Sequence, residues 1–152
     1  MGTSVDITRS AINNAQYVIA QINPKMPRTH GDGFVHVGQI NAMVQVDKAL
    51  PEISYLSKID KAALDIASFC SGLIEDGSTL QMGIGAIPDA VCSSLGNHKD
   101  LGIHTEMFSD GIIPLVEKGV ITNKFKVKHK GKIVTSFAVG TSKLYEFIDN
   151  NP

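Results

Sequence analysis

No run of about 18 apolar residues occurs in this chain, so no segment is long enough to cross a bilayer as a helix. The opening residues, MGTSVDITRS, lack the apolar core of a secretory leader, which argues against export. Met1-Gly2 is read as an appended start and not as a myristoylation signal. An excess of one charge is missing as well. The formal net charge is −1, so nothing in the balance recruits a polyanion such as nucleic acid. Only two cysteines are present, Cys70 and Cys92, and both fall on apolar faces of expected helices. They read as reduced core thiols of a cytoplasmic protein. The five histidines (His30, His36, His98, His104, His129) show no paired ligand spacing, so neither a structural nor a catalytic metal is expected. Internal repeats, low-complexity tracts and a Ser-His-Asp constellation are absent too. What is there is 152 residues, 43% of them hydrophobic, enough for one domain with a buried core.

Along the chain, Ile7–Asn14 reads as a helix and Tyr17–Ile22 as a strand, closed by Asn23-Pro24. The segment from Pro24 to Gly33 is dense in turn formers and carries Arg28, His30 and Asp32. Turn chemistry alone accounts for it; the functional alternative is a loop that brings Arg28 or His30 to a ligand. Phe34–Val37 and Ala42–Val46 are expected as short strands. From Lys58 the apolar positions Ile59, Ala62, Ala63, Ile66, Ala67, Cys70, Leu73 and Ile74 repeat at helical spacing, which predicts a helix to Glu75 with a stop at Asp76-Gly77. Ile112 to Val116 reads as a further helix for which Ser109 or Asp110 is the expected cap. Lys124, Lys126, Lys128, Lys130 and Lys132 alternate, as on a solvated edge strand guarded by lysines; contact with ligand phosphates is the alternative. Ile133–Val139 reads as a buried strand and Leu144–Asp149 as a helix.

The stretch from Leu80 to Gly111 organises the rest. Ser78–Met82 predicts a short strand, Gly83-Ile84-Gly85-Ala86-Ile87-Pro88 a glycine-rich turn, Ala90 to Leu95 a helix, and Leu101–Thr105 a second strand with Glu106 at its carboxyl end. Helix and strand in alternation predict an α/β fold with a mainly parallel sheet and flanking helices. In such sheets the ligand crevice lies at the carboxyl ends of the strands, where both the turn and Glu106 would sit. His104 and Glu106 alternate onto the same face, although a satisfied strand histidine is the preferred reading of His104. Two chemistries fit. Dinucleotide binding wants G-x-G-x-x-G with an acid about 20 residues on, but Pro88 stands in place of the third glycine. The other makes Glu106 a covalent nucleophile beside loop N–H groups.

GIGAIPDAV followed by LGIHTEMFSDG resembles the coenzyme A transferases of the acetyl-CoA hydrolase/transferase family, in particular its 4-hydroxybutyrate and butyrate CoA-transferase branch. The likeness extends through Met26–Asp32 and Ile133–Gly140 and covers essentially the whole chain. It implies a CoA-transferase-like α/β domain with Glu106 as nucleophile and Gly83, Ile84, Gly85, Ala86 and Ile87 at the thioester end of CoA. It also implies a ping-pong exchange between acyl-CoA and a short carboxylic acid through a glutamyl-CoA thioester. Acyl-CoA hydrolysis by the same glutamate is the alternative, and a non-catalytic dinucleotide-binding domain comes third. CoA thioester is then a substrate and no tightly bound cofactor is expected. The expected partners are acyl-CoA and a short-chain carboxylate, with no nucleic acid and no membrane, in a homo-oligomer. Family members are several times longer, so residues 1–152 are expected to be a single α/β domain of a longer chain, whose missing C-terminal domain completes the CoA site. Alone, the fragment is expected to be inactive.

Overall fold

The computed structural model describes residues 1–152, the side chain of Leu56 excepted. Helix α1 spans Thr8–Asn14 and strands β1 (Ile19–Ile22) and β2 (Ala42–Gln45) pair in parallel, Ile19 opposite Ala42. Helix α2 covers Lys61–Ser71 and leads to β3 at Thr79–Leu80. Helix α3 is Ala86–Ser94, β4 Gly102–Ile103 and β5 Met107–Phe108. Helix α4 is Ile113–Glu117, β6 Phe137–Ala138 and α5 Ser142–Ile148. All three strand pairs are parallel, and β3–β4 and β5–β6 are joined through helices, which is the α/β class the alternation predicts.

One sheet holding Leu80–Met82, Leu101–Thr105 and Ile133–Val139 is not what forms. The named strands make three two-stranded units, β1–β2, β3–β4 and β5–β6. An isolated parallel bridge from His104 to Val134 still carries residues 133–138 alongside 101–108. The ladder is interrupted at Glu106, whose carbonyl oxygen accepts from the N–H groups of both Ser136 (3.2 Å) and Phe137 (2.9 Å). Two residues opposite one is the pattern of a bulge, which bends a strand and re-aims its side chains.

The core lies within residues 63–144. Leu95, Leu101, Ile103, Phe108, Ile112, Ile113 and Leu144 are each less than 2% exposed, and each such side chain contributes roughly 1.5–3 kcal/mol by leaving water. Helix α2 turns Ala63 and Ala67 toward α3, where Ala90, Val91 and Cys92 are buried. Leu101, Ile103 and Thr105 point inward while His104 and Glu106 point out, as strand alternation requires. The opposite face of α2 stays in solvent, with Phe69 78% exposed, and so does Leu73, 86% exposed, in the turn that follows.

Four local expectations need correction. Phe34–Val37 forms no strand; a 3-10 turn occupies Val37–Gln39, where the His36 ring accepts the Gly38 N–H at 3.1 Å and satisfies the backbone locally. Helix α2 begins three residues later than the periodicity suggests because Asp60 caps it, its carboxylate accepting from Ala63 N–H at 2.8 Å, and it ends at Gly72, ahead of Asp76-Gly77. The helical run after Glu106 opens as a 3-10 turn at Asp110–Ile112, with Ser109 at its N-cap position making no capping bond. Residues 124–132 are no edge strand. Asn123 takes a left-handed turn (φ 56°) and Lys126 folds inward, 5% exposed, donating to the carbonyls of Ile103 (2.7 Å) and Lys132 (2.6 Å). No helix is long and apolar enough to cross a membrane among the described residues.

Candidate active site

The β3–β4 ladder runs out where the site begins. Its rungs are Gly102 N–H to Ser78 O (2.9 Å) and His104 N–H to Leu80 O (3.0 Å). Beyond them the next link is a side chain. The Thr105 hydroxyl accepts from Met82 N–H (2.9 Å) and lies 2.8 Å from Met82 O and 2.9 Å from Met107 O, either of which takes its proton. Thr105 is 6% exposed, so this replacement rung is shielded from water. It joins the residue before Gly83 to the residues on either side of Glu106.

Glu106 itself is fixed by its backbone and free at its tip. Besides the two N–H groups at the bulge, its carbonyl is approached by the hydroxyls of Thr135 (2.8 Å) and Ser136 (3.3 Å). Its carboxylate is exposed and takes no hydrogen bond or ion pair from the described residues. A carboxylate can attack a carbonyl directly, with no proton for a general base to remove first.

The glycine loop divides in two. Gly83 and Ile84 form the loop, Gly85 (φ 124°) is the N-cap of α3, and Ala86 and Ile87 already belong to the helix. Only glycine adopts the Gly85 conformation without strain, and it lets the chain that left β3 at Leu80 enter α3 at Ala86. None of the N–H groups from Gly83 to Ile87 donates to a described residue. Pro88, which has no N–H to lose, fills the first turn. A row of unpaired N–H groups at a helix start favours a negatively charged oxygen. Behind the loop lies an open apolar hollow of about 240 Å³, lined by Cys70, Ile74, Leu80, Met82, Ile87 and Val91 among others.

The residues after Glu106 serve as ties. Ser109 donates to the buried Asp89 carboxylate on α3 at 3.0 Å. Asp110 accepts from Thr141 N–H (2.8 Å) and Thr141 Oγ1 (2.6 Å) at the start of α5. A Cβ on Gly111 would stand 2.9 Å from Asp89 Oδ1, so the chain must be bare there. Burial pushes the Asp89 carboxyl above its ordinary value; the Ser109 hydrogen bond opposes this and the Asp110 charge adds to it. Burial, with a further contribution from the Asp89 charge, pushes the Cys92 thiol up to about 12. It stays protonated, which makes it a poor nucleophile.

Other sequence candidates are placed elsewhere. Arg28 is engaged with the carboxyl side of α5, its N–H donating to Asp149 at 2.7 Å, its guanidinium reaching Asn150 and lying 5.1 Å from the Phe34 ring centroid. His30 packs edge-on to Phe34. The His104 ring meets His129 edge-on, centroids 6.0 Å apart, on the face it shares with Glu106. Sequence reasoning missed Thr105 and Asp89. The inward alternation of Leu101, Ile103 and Thr105 was the available signal for the first; a lone acid in an apolar helix was the signal for the second.

Residues 1–53 match the family model described as the acetyl-CoA hydrolase/transferase N-terminal domain. Across 99% of its length the chain is 52% identical to the 4-hydroxybutyrate coenzyme A transferase of Clostridium kluyveri, covering 35% of that protein. The chain is thus similar in residues 1–53 to the acetyl-CoA hydrolase/transferase N-terminal domain and along its length to a CoA transferase. A second relative, the succinyl-CoA:acetate/propanoyl-CoA:succinate CoA transferase of Fasciola hepatica, is 50% identical over the whole chain, which covers 32% of it. The crystal structure of 4-hydroxybutyrate CoA-transferase from Porphyromonas gingivalis superposes with a TM-score of 0.93 at 44% identity, over 99% of this chain and 38% of that one. The chain thus spans about a third of the length of the curated relatives it matches, and over that third it has the fold of the Porphyromonas gingivalis enzyme.

Proposed function

We propose that the protein carrying this sequence is an acyl-CoA:carboxylate CoA-transferase with Glu106 as its covalent nucleophile. The observation that carries this reading is the contrast at Glu106. Its carbonyl is held from several directions while its carboxylate is unpaired, beside a loop whose N–H groups are unpaired too. The names of the relatives give the chemical class: CoA transfer involving 4-hydroxybutyrate, succinate or butyrate.

In this reading a Glu106 carboxylate oxygen attacks the acyl-CoA carbonyl. The C–S bond breaks, leaving an acyl-glutamyl anhydride and CoA thiolate. The thiolate attacks Glu106 Cδ and expels the first acid as its carboxylate, which leaves a glutamyl-CoA thioester. A second carboxylate attacks Cδ, giving a new anhydride and releasing thiolate. That thiolate attacks the incoming acyl carbon, forms the new acyl-CoA and restores the Glu106 carboxylate. No water or net proton is consumed. Each tetrahedral intermediate carries an oxyanion, for which N–H groups between Gly83 and Ile87 are the donors; losing one such donor costs roughly 2.7–4 kcal/mol of barrier.

The 152 residues are read as one α/β domain supplying the nucleophile and one wall of the cleft, in a cytoplasmic homo-oligomer that binds CoA only as substrate. Exposure of Glu106 favours one second reading, hydrolysis, because water reaching the same glutamyl thioester would release CoA. The test uses the full-length protein carrying this sequence. It is incubated with butyryl-CoA, trapped with borohydride or hydroxylamine, digested and mapped by mass spectrometry. A modified peptide containing Glu106, absent in Glu106→Gln with unchanged circular dichroism, is the expected result; a Gln variant with wild-type turnover would overturn it. Adding acetate separates the two readings: acetyl-CoA forms in a transferase, whereas free CoA accumulates at an unchanged rate in a hydrolase.

A further inference from the structure

The chain makes a regular parallel ladder only as far as Leu80 and Ile103. Past that rung the two strands must part, since one continues into the Gly83 loop and the other into the bulge at Glu106. Parting leaves the N–H and C=O of Met82 without the partners a longer ladder would supply. Both are met by one hydroxyl, that of Thr105. The same oxygen lies 2.9 Å from the carbonyl of Met107. A single buried atom is therefore in contact with backbone groups on both sides of the cleft mouth, immediately before Gly83 and immediately around Glu106.

From this geometry we propose that Thr105 is a positioning residue for the acyl-transfer reaction, setting the distance between the Glu106 carboxylate and the N–H groups that receive the oxyanion. The inference rests on Glu106 being the nucleophile and adds what holds it in register. Thr105 touches no reacting atom in this role. It acts through Met82 on the loop and through the main chain on Glu106. Thr105 suits the task because a β-branched side chain has a stiff χ1, and its hydroxyl both accepts and donates. Valine keeps the shape and loses the link. Met82 N–H and C=O would then be buried without partners, and the loop would relax away from the strand to find them. Near-attack geometry is steep in distance, so a shift of about 1 Å is enough for a hundredfold loss in rate.

The experiment is rapid-quench measurement of the first half-reaction in the full-length protein, reading the amplitude and the rate constant of Glu106 adduct formation from butyryl-CoA. Wild type is compared with Thr105→Val and Thr105→Cys, the latter keeping volume with a weaker hydrogen-bonding group. The expected result is an adduct rate constant lower by about a hundredfold in Val and by an intermediate factor in Cys, with the KM for butyryl-CoA within about threefold of wild type. A merely structural Thr105 would lower the melting temperature and the amplitude, leaving the rate constant of the folded sites alone. If Val does not fold, Cys decides alone. A rate constant within threefold of wild type in any folded variant, with wild type forming its adduct normally, overturns the positioning role and leaves the nucleophile intact. Absence of a Glu106 adduct in wild type overturns both.

Discussion

Asp89 is an acid placed where an acid is costly. It is 4% exposed in the first turn of α3, with Ser109 as its hydrogen-bond donor and Asp110 adding like charge. Because its folded pKa is raised, the folded state holds a proton that the unfolded state has released. The charged form therefore lowers stability above the folded pKa, and this cost fades as pH falls toward the ordinary value of 3.8. Asn can still accept from Ser109 through Oδ1. The Asp89→Asn variant is expected to melt at or above the wild-type temperature at pH 7, with the difference vanishing near pH 3.8; thermal melts across that range check it. Thr105 is the opposite case, a neutral group whose link is fully made. Of the two, alternation along the strand marked Thr105 as an inward position, whereas nothing local to Asp89 identified Ser109, 20 residues on, as its partner.

At the scale of elements, the Ser109-Asp110-Gly111 run ties α3 to α5. Ser109 reaches α3, Asp110 holds the Thr141 N–H and hydroxyl at the start of α5, and Gly111 packs on Asp89 and Cys92. The fit leaves no room. A Cβ on Gly140 would come 2.2 Å from Asp110 Oδ2 and 2.8 Å from Leu144 Cδ1. Gly140→Ala must therefore displace the carboxylate from Thr141 or push α5 off the core, where Leu144 is fully buried. A loss of about 1–3 kcal/mol is expected from overpacking, read as a lower urea midpoint at unchanged slope. Sequence reasoning placed this helix within a turn of its true span, because its apolar spacing is local. The tie to Asp110 crosses 31 residues and has no local trace.

For the whole molecule, burial is lopsided. The core cluster is built from residues 63–144, while β1–β2 leaves Ile19 65%, Met43 47% and Val44 54% exposed, and α2 with the turn after it leaves Leu64, Phe69 and Leu73 bare. A helix apolar on both faces belongs between two layers. Large exposed apolar patches promote association. The isolated 152-residue chain is accordingly expected to self-associate, its apparent mass in sedimentation velocity rising with concentration. The double variant Phe69→Asp, Leu73→Asp should shift it toward monomer; an unchanged mass distribution would show that α2 is not the sticking face. The same chain is expected to lack transfer activity, because a cleft with one wall neither excludes water nor aligns the thioester.

What the sequence by itself determined is what depends on neighbours along the chain. Period-two alternation puts Leu101, Ile103 and Thr105 inside and His104 and Glu106 outside, whatever the strand pairs with. Helical spacing likewise includes the inner stripe of α2, Ala63, Ala67 and Cys70, although Ala62 and Ile66 of the same apolar pattern stay exposed. Tertiary structure decided matters of partnership. The alternating lysines describe an edge strand only until Asn123 turns left-handed and Lys126 finds the carbonyl of Ile103. Arg28, a free cation in the sequence, has its guanidinium held by Asn150 and its backbone N–H by Asp149, more than a hundred residues away. The expected continuous sheet breaks at Glu106 because Ser136 and Phe137 both donate to its carbonyl. A local pattern fixes which way a side chain points, since that follows from backbone geometry alone. Which group it then meets depends on loops closing over distance, and at Glu106 it was closure that left the backbone held and the carboxylate free.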